Sequence, residues 1–137
     1  MSEDKKIKAG SCLCGAVKFE VAGPLREIIM CHCTMCQKSS GHHFAATAAN
    51  TTDLHVSDSG SLKWFKSSEY AERGFCSSCG SSLFWRMHGR DTTSILMGSF
   101  DEDIKLPVSS HVFMGERKSY YTPDASIIGH DTYPKGS

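Results

Sequence analysis

Cys12-Leu13-Cys14 and Cys76-Ser77-Ser78-Cys79, with Cys31-His32-Cys33-Thr34-Met35-Cys36 between them, hold all seven cysteines of this 137-residue chain. The odd count and the tight spacing argue against a disulfide framework. An odd number leaves one thiol unpaired. Cysteines one or two residues apart make strained bridges, because a disulfide needs a particular separation and torsion. Metal ligation is the commoner use of such clusters. A closed tetrahedral site takes four protein ligands, and an open one takes three. Seven divides into four plus three.

The local chain supports that division. Residues i and i+2 of an extended strand point to the same face, so Cys12 with Cys14, and Cys31 with Cys33, can each face one metal. Cys76-Ser77-Ser78-Cys79-Gly80 has the form of a zinc knuckle, with Gly80 free to take a positive φ after the second ligand. Joining Cys12 and Cys14 to Cys76 and Cys79 completes a Cys₄ site that closes a long loop. Such a site contributes much of the folding free energy. Cys31, Cys33 and Cys36 form one face of a tetrahedron unaided. The competing partition, in which this group borrows a cysteine of the knuckle, splits a compact chelating pair.

Fifteen basic and fifteen acidic residues cancel. No basic run exceeds Lys5-Lys6, which argues against a nucleic-acid zinc ribbon. No apolar stretch approaches the roughly twenty residues of a membrane span. Met1–Gly10 reads MSEDKKIKAG and has no apolar signal-peptide core. A reducing, cytoplasmic setting is therefore expected. The apolar periodicity is that of strands. Val17, Phe19 and Val21 alternate with polar neighbours, as do Leu62 and Trp64. Short apolar runs recur at Glu27–Met30, Ser82–Met87, Ser94–Met97 and His111–Met114, separated by turn signals such as Ala22-Gly23-Pro24 and Ser57–Gly60. One helical turn is predicted at Thr34–Ser39. The expected organisation is a single mainly β domain over 8–122, with terminal extensions 1–7 and 123–137, the tail from about Pro123, poor in apolar residues, being loop or loosely docked. Trp64, Phe75, Phe84 and Trp85 are expected in the core, with Phe75 and Phe84 over the knuckle. Arg73 and Arg86 are expected at the surface.

Together these motifs resemble the glutathione-dependent formaldehyde-activating enzyme family, which also includes centromere protein V. Gly10-Ser11-Cys12-Leu13-Cys14-Gly15 resembles its opening motif. Cys31-His32-Cys33-Thr34-Met35-Cys36 resembles its central CHCxxC motif, and Arg73-Gly74-Phe75-Cys76-Ser77-Ser78-Cys79-Gly80 its RxFCxxCG segment. The resemblance covers roughly residues 8 to 115. It implies small, coiled β-sheets around a structural zinc, similar to the fold of a Rab-GTPase chaperone. It implies two Zn²⁺ per chain: a structural ion on Cys12, Cys14, Cys76 and Cys79, and a catalytic ion on Cys31, Cys33 and Cys36. It also implies addition of glutathione to formaldehyde, and classification as a carbon–sulfur lyase. The family pattern commonly has arginine directly after the third cysteine. Gln37 stands there, so a guanidinium contact is not carried over.

An open Cys₃ zinc carries a formal charge of −1. Its bound water should be less acidic than that of a His₃ site, so metal-hydroxide hydrolysis is the weaker expectation. A sulfur-rich site suits another sulfur. A substrate thiol would be deprotonated on binding and oriented toward an aldehyde carbonyl. His32, Gln37 and Lys38 are the nearest donors in sequence and the candidate ligand-binding residues. His32 alternates with its neighbouring cysteines and should point away from the metal, toward a supporting hydrogen bond. His42 and His43, if in a strand, face opposite ways. His55, His88, His111 and His130 read as structural or surface. The partners expected are a small-molecule thiol, glutathione foremost, and an aldehyde, with no nucleic acid or membrane. The alternative is a non-catalytic zinc scaffold that binds a protein.

Overall fold

A computed structural model of the chain describes residues 6–133. Its strands are β1 (Lys8–Ser11), β2 (Lys18–Val21), β3 (Ile28–Cys31), β4 (Phe44–Asn50), β5 (Leu54–Ser57), β6 (Leu62–Lys66), β7 (Ala71–Cys76), β8 (Ser82–Met87), β9 (Thr92–Leu96), β10 (Val108–Val112) and β11 (Ile128–Gly129). Helix α1 (Thr34–Ser40) lies between β3 and β4. The protein is mainly β, as the period-2 patterning requires. No helix among the described residues is long and apolar enough to cross a membrane. The chain forms two compact units: one runs to Arg26 and again over Thr47–Lys105, the other comprises Glu27–Ala46 and the chain from Leu106.

The first unit contains the antiparallel sheet β1-β2-β5 and the antiparallel meander β6-β7-β8-β9. In β2, Phe19 and Val21 are buried while Lys18 and Glu20 face solvent, the alternation of a half-buried strand. Phe19 meets Phe84 and Phe100 edge-on, with ring centroids 5.4 and 5.5 Å away. Val17, Leu83, Phe84 and Ile95 complete a core that also takes in Cys12 and Cys76. Burying a ring such as Phe84 stabilises the fold by about 1.5–3 kcal/mol.

Gly10 pairs with Phe19 across β1 and β2. A Cβ there would collide with the Phe19 ring and with the Ser99 carbonyl. The carbonyl is backbone and cannot rotate away. Gly10→Ala should therefore destabilise the protein by about 1–3 kcal/mol, the usual range for overpacking. Urea denaturation reads this directly. A midpoint equal to that of the unchanged chain would show that the packing here gives way.

Three aromatic expectations and one arginine expectation change. Phe84 joins Phe19 in the core, but Phe75 is only half-buried, as are Trp64 and Trp85. Adjacent β7 residues alternate faces, so Phe75 points away from the side that Gly74 and Cys76 bury. Arg73 is not a surface residue: it is 8% exposed, opposite Trp85 and Phe65 in neighbouring strands. Arg86 behaves as expected of a partly exposed arginine. It pairs with Glu72 and lies over the Trp64 ring, 3.7 Å from its centroid.

In the second unit β3 is antiparallel to β4 and parallel to β10, and β11 is parallel to β10. Cys31 thus sits between Phe44 on one side and Val112 on the other. Of the two expectations for the tail, residues 128–133 follow the docked one. Ser110 pairs with Ile128, the His130 amide donates to the His111 carbonyl at 2.9 Å, and Tyr133 packs edge-on against Phe113. Backbone pairing to β10 and the Phe113–Tyr133 contact hold this stretch, while Ile128 itself is 60% exposed. Helix α1 starts one residue after Cys33, as the predicted turn required. It ends at Gly41, which takes a left-handed φ of 89°.

Candidate metal centres

The first cysteine group is assembled by two turns of the first unit. Cys12 and Cys14 lie in the β1–β2 turn, not in a strand as their spacing suggested. The Cys12 amide donates to Val17, and the Gly15 amide returns to Cys12. The sulfurs converge because this tight turn curls around them. Cys76 ends β7 and Cys79 follows in the turn to β8. The Gly80 amide donates to the Cys76 carbonyl at 2.7 Å, with Gly80 at φ 82°, which closes the knuckle as predicted. Ser81, which no sequence signal singled out, joins the two pairs. It accepts the Leu13 amide at 3.0 Å and lies 3.2 Å from Cys79 Sγ.

All four Sγ atoms lie within 4.8 Å of one another. Cys14 Sγ is 3.7 Å from Cys12 Sγ and 3.8 Å from Cys76 Sγ. Tetrahedral zinc with Zn–S bonds of about 2.3 Å spaces its sulfurs about 3.8 Å apart, whereas a disulfide brings them to about 2.05 Å. None of the seven cysteines is in a disulfide. The donor set and its spacing fit a zinc ion. The acid–base setting is consistent. At Cys14 the Ala16 amide favours the thiolate, yet desolvation and the other thiols push the group up to about 11. Cys79, accepting from Ser81, is drawn down to about 5. Holding all four as thiolates at this spacing would take a cation among them.

The second group is local. Cys31 ends β3, Cys33 is the N-cap of α1 with extended φ −63° and ψ 156°, and Cys36 lies in the first helical turn. The extended His32 step puts Cys31 and Cys33 on one side, and the helical turn brings Cys36 back to them. The Cys33 sulfur also accepts the Cys36 amide at 3.3 Å. The three Sγ atoms lie within 4.8 Å of one another. The hydrogen-bonded Cys33 thiol, then Cys36 and burial, push Cys31 far above the ordinary thiol range. Holding all three as thiolates would take a cation, and this group too can hold a metal ion.

His32 points away from its flanking cysteines and is 3% exposed. Its Nε2 shares a 2.7 Å hydrogen bond with Nδ1 of buried His111. Burial, reinforced by His43, holds His32 down at about 4. Burial lowers His111 as well. Both rings are neutral near pH 7, so one donates and the other accepts. The His32 ring also lies 4.6 Å from His43 and 5.7 Å from Tyr121 between centroids. His42 and His43 are not splayed to opposite faces. β4 begins only at Phe44, and the two rings sit 4.0 Å apart. His42 shares a hydrogen bond with the Tyr120 hydroxyl.

Gln37 and Lys38 differ in their engagement. The Gln37 amide group donates to the His32 carbonyl at 2.7 Å and the Glu116 carbonyl at 2.8 Å, and its oxygen accepts from Lys118 at 3.1 Å. Lys38 is exposed in the last turn of α1, where a cation complements the helix dipole. Sequence reading missed His111, Tyr120, Tyr121 and Glu116 as neighbours of this group. Only His111 carried a signal, as a histidine opening an apolar run.

The described residues form a mainly β protein with a four-cysteine group and a separate three-cysteine group, each able to hold a metal ion. The sequence model of the glutathione-dependent formaldehyde-activating enzyme family matches residues 7–116, and the chain belongs to that family. It is 30% identical over 119 residues to a "Putative glutathione-dependent formaldehyde-activating enzyme" of Halomonas elongata, covering 80% of this chain and 75% of that one. It is 32% identical over 76 residues to an "Uncharacterized lyase" of Schizosaccharomyces pombe, covering 56% of this chain. The chain spans just 55% of that lyase's length. A crystal structure of a Rhodobacter sphaeroides protein shares the fold. It has a TM-score of 0.59 at 22% identity, covering 74% of this chain and 99% of that one.

Proposed function

We propose that the protein is a zinc-dependent carbon–sulfur lyase, or thiol-adduct synthase, acting on glutathione and an aldehyde. The observation that carries this reading is the three-cysteine group. It is complete within six residues, separate from the four-cysteine group, and one ligand short of a closed tetrahedron. Cys12, Cys14, Cys76 and Cys79 would hold a structural zinc, and Cys31, Cys33 and Cys36 a catalytic one. The ion at the second group would supply a thiol-binding position and a thiolate at neutral pH.

The chain's own residues then set the chemistry. Three thiolates on one dication leave net negative charge, which favours a soft sulfur ligand over a strongly acidic water. The thiolate sulfur attacks the aldehyde carbon and a C–S bond forms. The C=O π pair moves to oxygen, which takes one proton, and the product is a hemithioacetal. The reverse direction breaks the same bond. His32, neutral and fixed by His111, holds the strand between two ligands in a single orientation. Gln37 fixes the first turn of α1. Lys38, exposed close to Cys36 in sequence, is the candidate contact for a glutathione carboxylate. The seven unbridged thiols suit a reducing compartment such as the cytoplasm.

Cobalt-substituted protein tests the reading. Two ions per chain are expected, and added glutathione should intensify the thiolate-to-cobalt absorption of one of them. Uptake of one ion, or two ions with a spectrum indifferent to glutathione, would refute it. Such a result would leave a zinc scaffold instead.

A further inference from the structure

We infer that Glu116 is the positioning residue of the three-cysteine group; this rests on the reading that Cys31, Cys33 and Cys36 hold a metal ion. Helix α1 is seven residues long, too short to persist on its own propensity. Its first turn carries Cys33 as cap and Cys36 inside it, so the placement of that turn decides whether the three sulfurs converge. The Cys33 side chain takes the Cys36 amide. Glu116 supplies the next acceptor. Its Oε1 takes the Thr34 amide at 2.8 Å and the Thr34 hydroxyl at 2.9 Å. Gln37 closes the arrangement from the other end, bridging the His32 and Glu116 carbonyls while Lys118 holds its oxygen. The Cys33–Cys36 turn is thus fastened at both ends to one segment.

That segment is itself placed with care. Val112 lies opposite Cys31 in β10 and accepts the His32 amide at 3.0 Å. The next residue, Phe113, takes a left-handed φ of 56°, a conformation that non-glycine residues adopt only when their surroundings enforce it. This reversal, followed by the 3₁₀ turn Met114–Glu116, swings the Glu116 carboxylate back onto Thr34. The strand that flanks Cys31 therefore runs on into the turn that caps Thr34. The consequence is a ligand set held in ligating geometry before any ion arrives. Pre-organisation of this kind appears as affinity.

The test is cobalt titration of the full chain against a competing chelator, reading the two sites by their separate absorption. Glu116→Ala should weaken the three-cysteine site about 10–100-fold, the range for residues that support metal ligands. The four-cysteine site should keep its affinity. Glu116→Gln retains an acceptor for both Thr34 donors and should restore most of the loss. Thr34→Pro provides a second route if Glu116→Ala folds poorly. It removes both donors at the first helical position, where proline is favoured. The preceding Cys33 already has the extended backbone that proline demands. Thr34→Pro should weaken the same site alone. Unchanged cobalt affinity in both variants would overturn the inference, as would an equal loss at both sites. If the unchanged chain binds only one ion, the functional reading itself fails, a result separate from either.

Discussion

Cys76→Ser is expected to leave a chain without a stable first unit. Cys76 is fully buried, packed in the same core as Leu83 and Phe84, and its sulfur faces Cys14 at 3.8 Å. The loss has two parts. A serine hydroxyl is a poor zinc ligand, and it is polar in an apolar core. Structural zinc contributes about 10–16 kcal/mol of binding free energy in small zinc domains, against a net folding stability of about 5–15 kcal/mol. The ion's contribution matches or exceeds the whole margin. Circular dichroism and thermal melting should show no cooperative transition at 25 °C or above, with or without added zinc. A transition within a few degrees of the unchanged protein would mean that the β-meander and its aromatic core suffice without the metal.

Cys33→Ser should do the opposite: keep the fold and abolish the chemistry. Cys33 has two roles, capping α1 through its sulfur and contributing to the three-sulfur group. Serine is among the best N-cap residues, so the Cys36 amide keeps an acceptor and the helix keeps its start. What goes is the soft ligand. The variant should retain one metal ion per chain and an almost unchanged melting temperature. Adduct formation between glutathione and formaldehyde, followed by NMR, should fall more than about a hundredfold, beyond the effect of merely supporting groups. Activity within tenfold of the unchanged protein's would count against the proposed role of this group. Cys76→Ser and Cys33→Ser together separate holding the chain from serving the substrate.

The partition of cysteines was legible because ligand count and spacing are one-dimensional facts. Four plus three follows from the sequence, and both groups converge in space. Strand alternation predicts that Cys12 and Cys14 face one way; their sulfurs do converge, but a turn brings them together. The helical turn after Cys33 and most short strands were visible from period and punctuation. The neighbourhood of the second group was not. His111 meets His32 from 79 residues away, and Glu116 meets Thr34 from 82. No local pattern encodes such pairings, which depend on β10 lying parallel beside β3. Arg73 was misread for a related reason. Burial of a charged side chain is decided by the strands on either side of it, here β6 and β8.

The parallel pairing of β3 with β10 also bears on the order of events during synthesis. Cys31, Cys33 and Cys36 leave the ribosome early, but the strand that flanks Cys31 and the carboxylate that caps Thr34 follow only after Lys105. Until then the three thiols sit on a loop with no frame. Closing that loop requires a long-range contact whose entropic cost falls due before its reward. The nascent chain thus passes through an interval in which these three sulfurs have neither their flanking strand nor their helix cap.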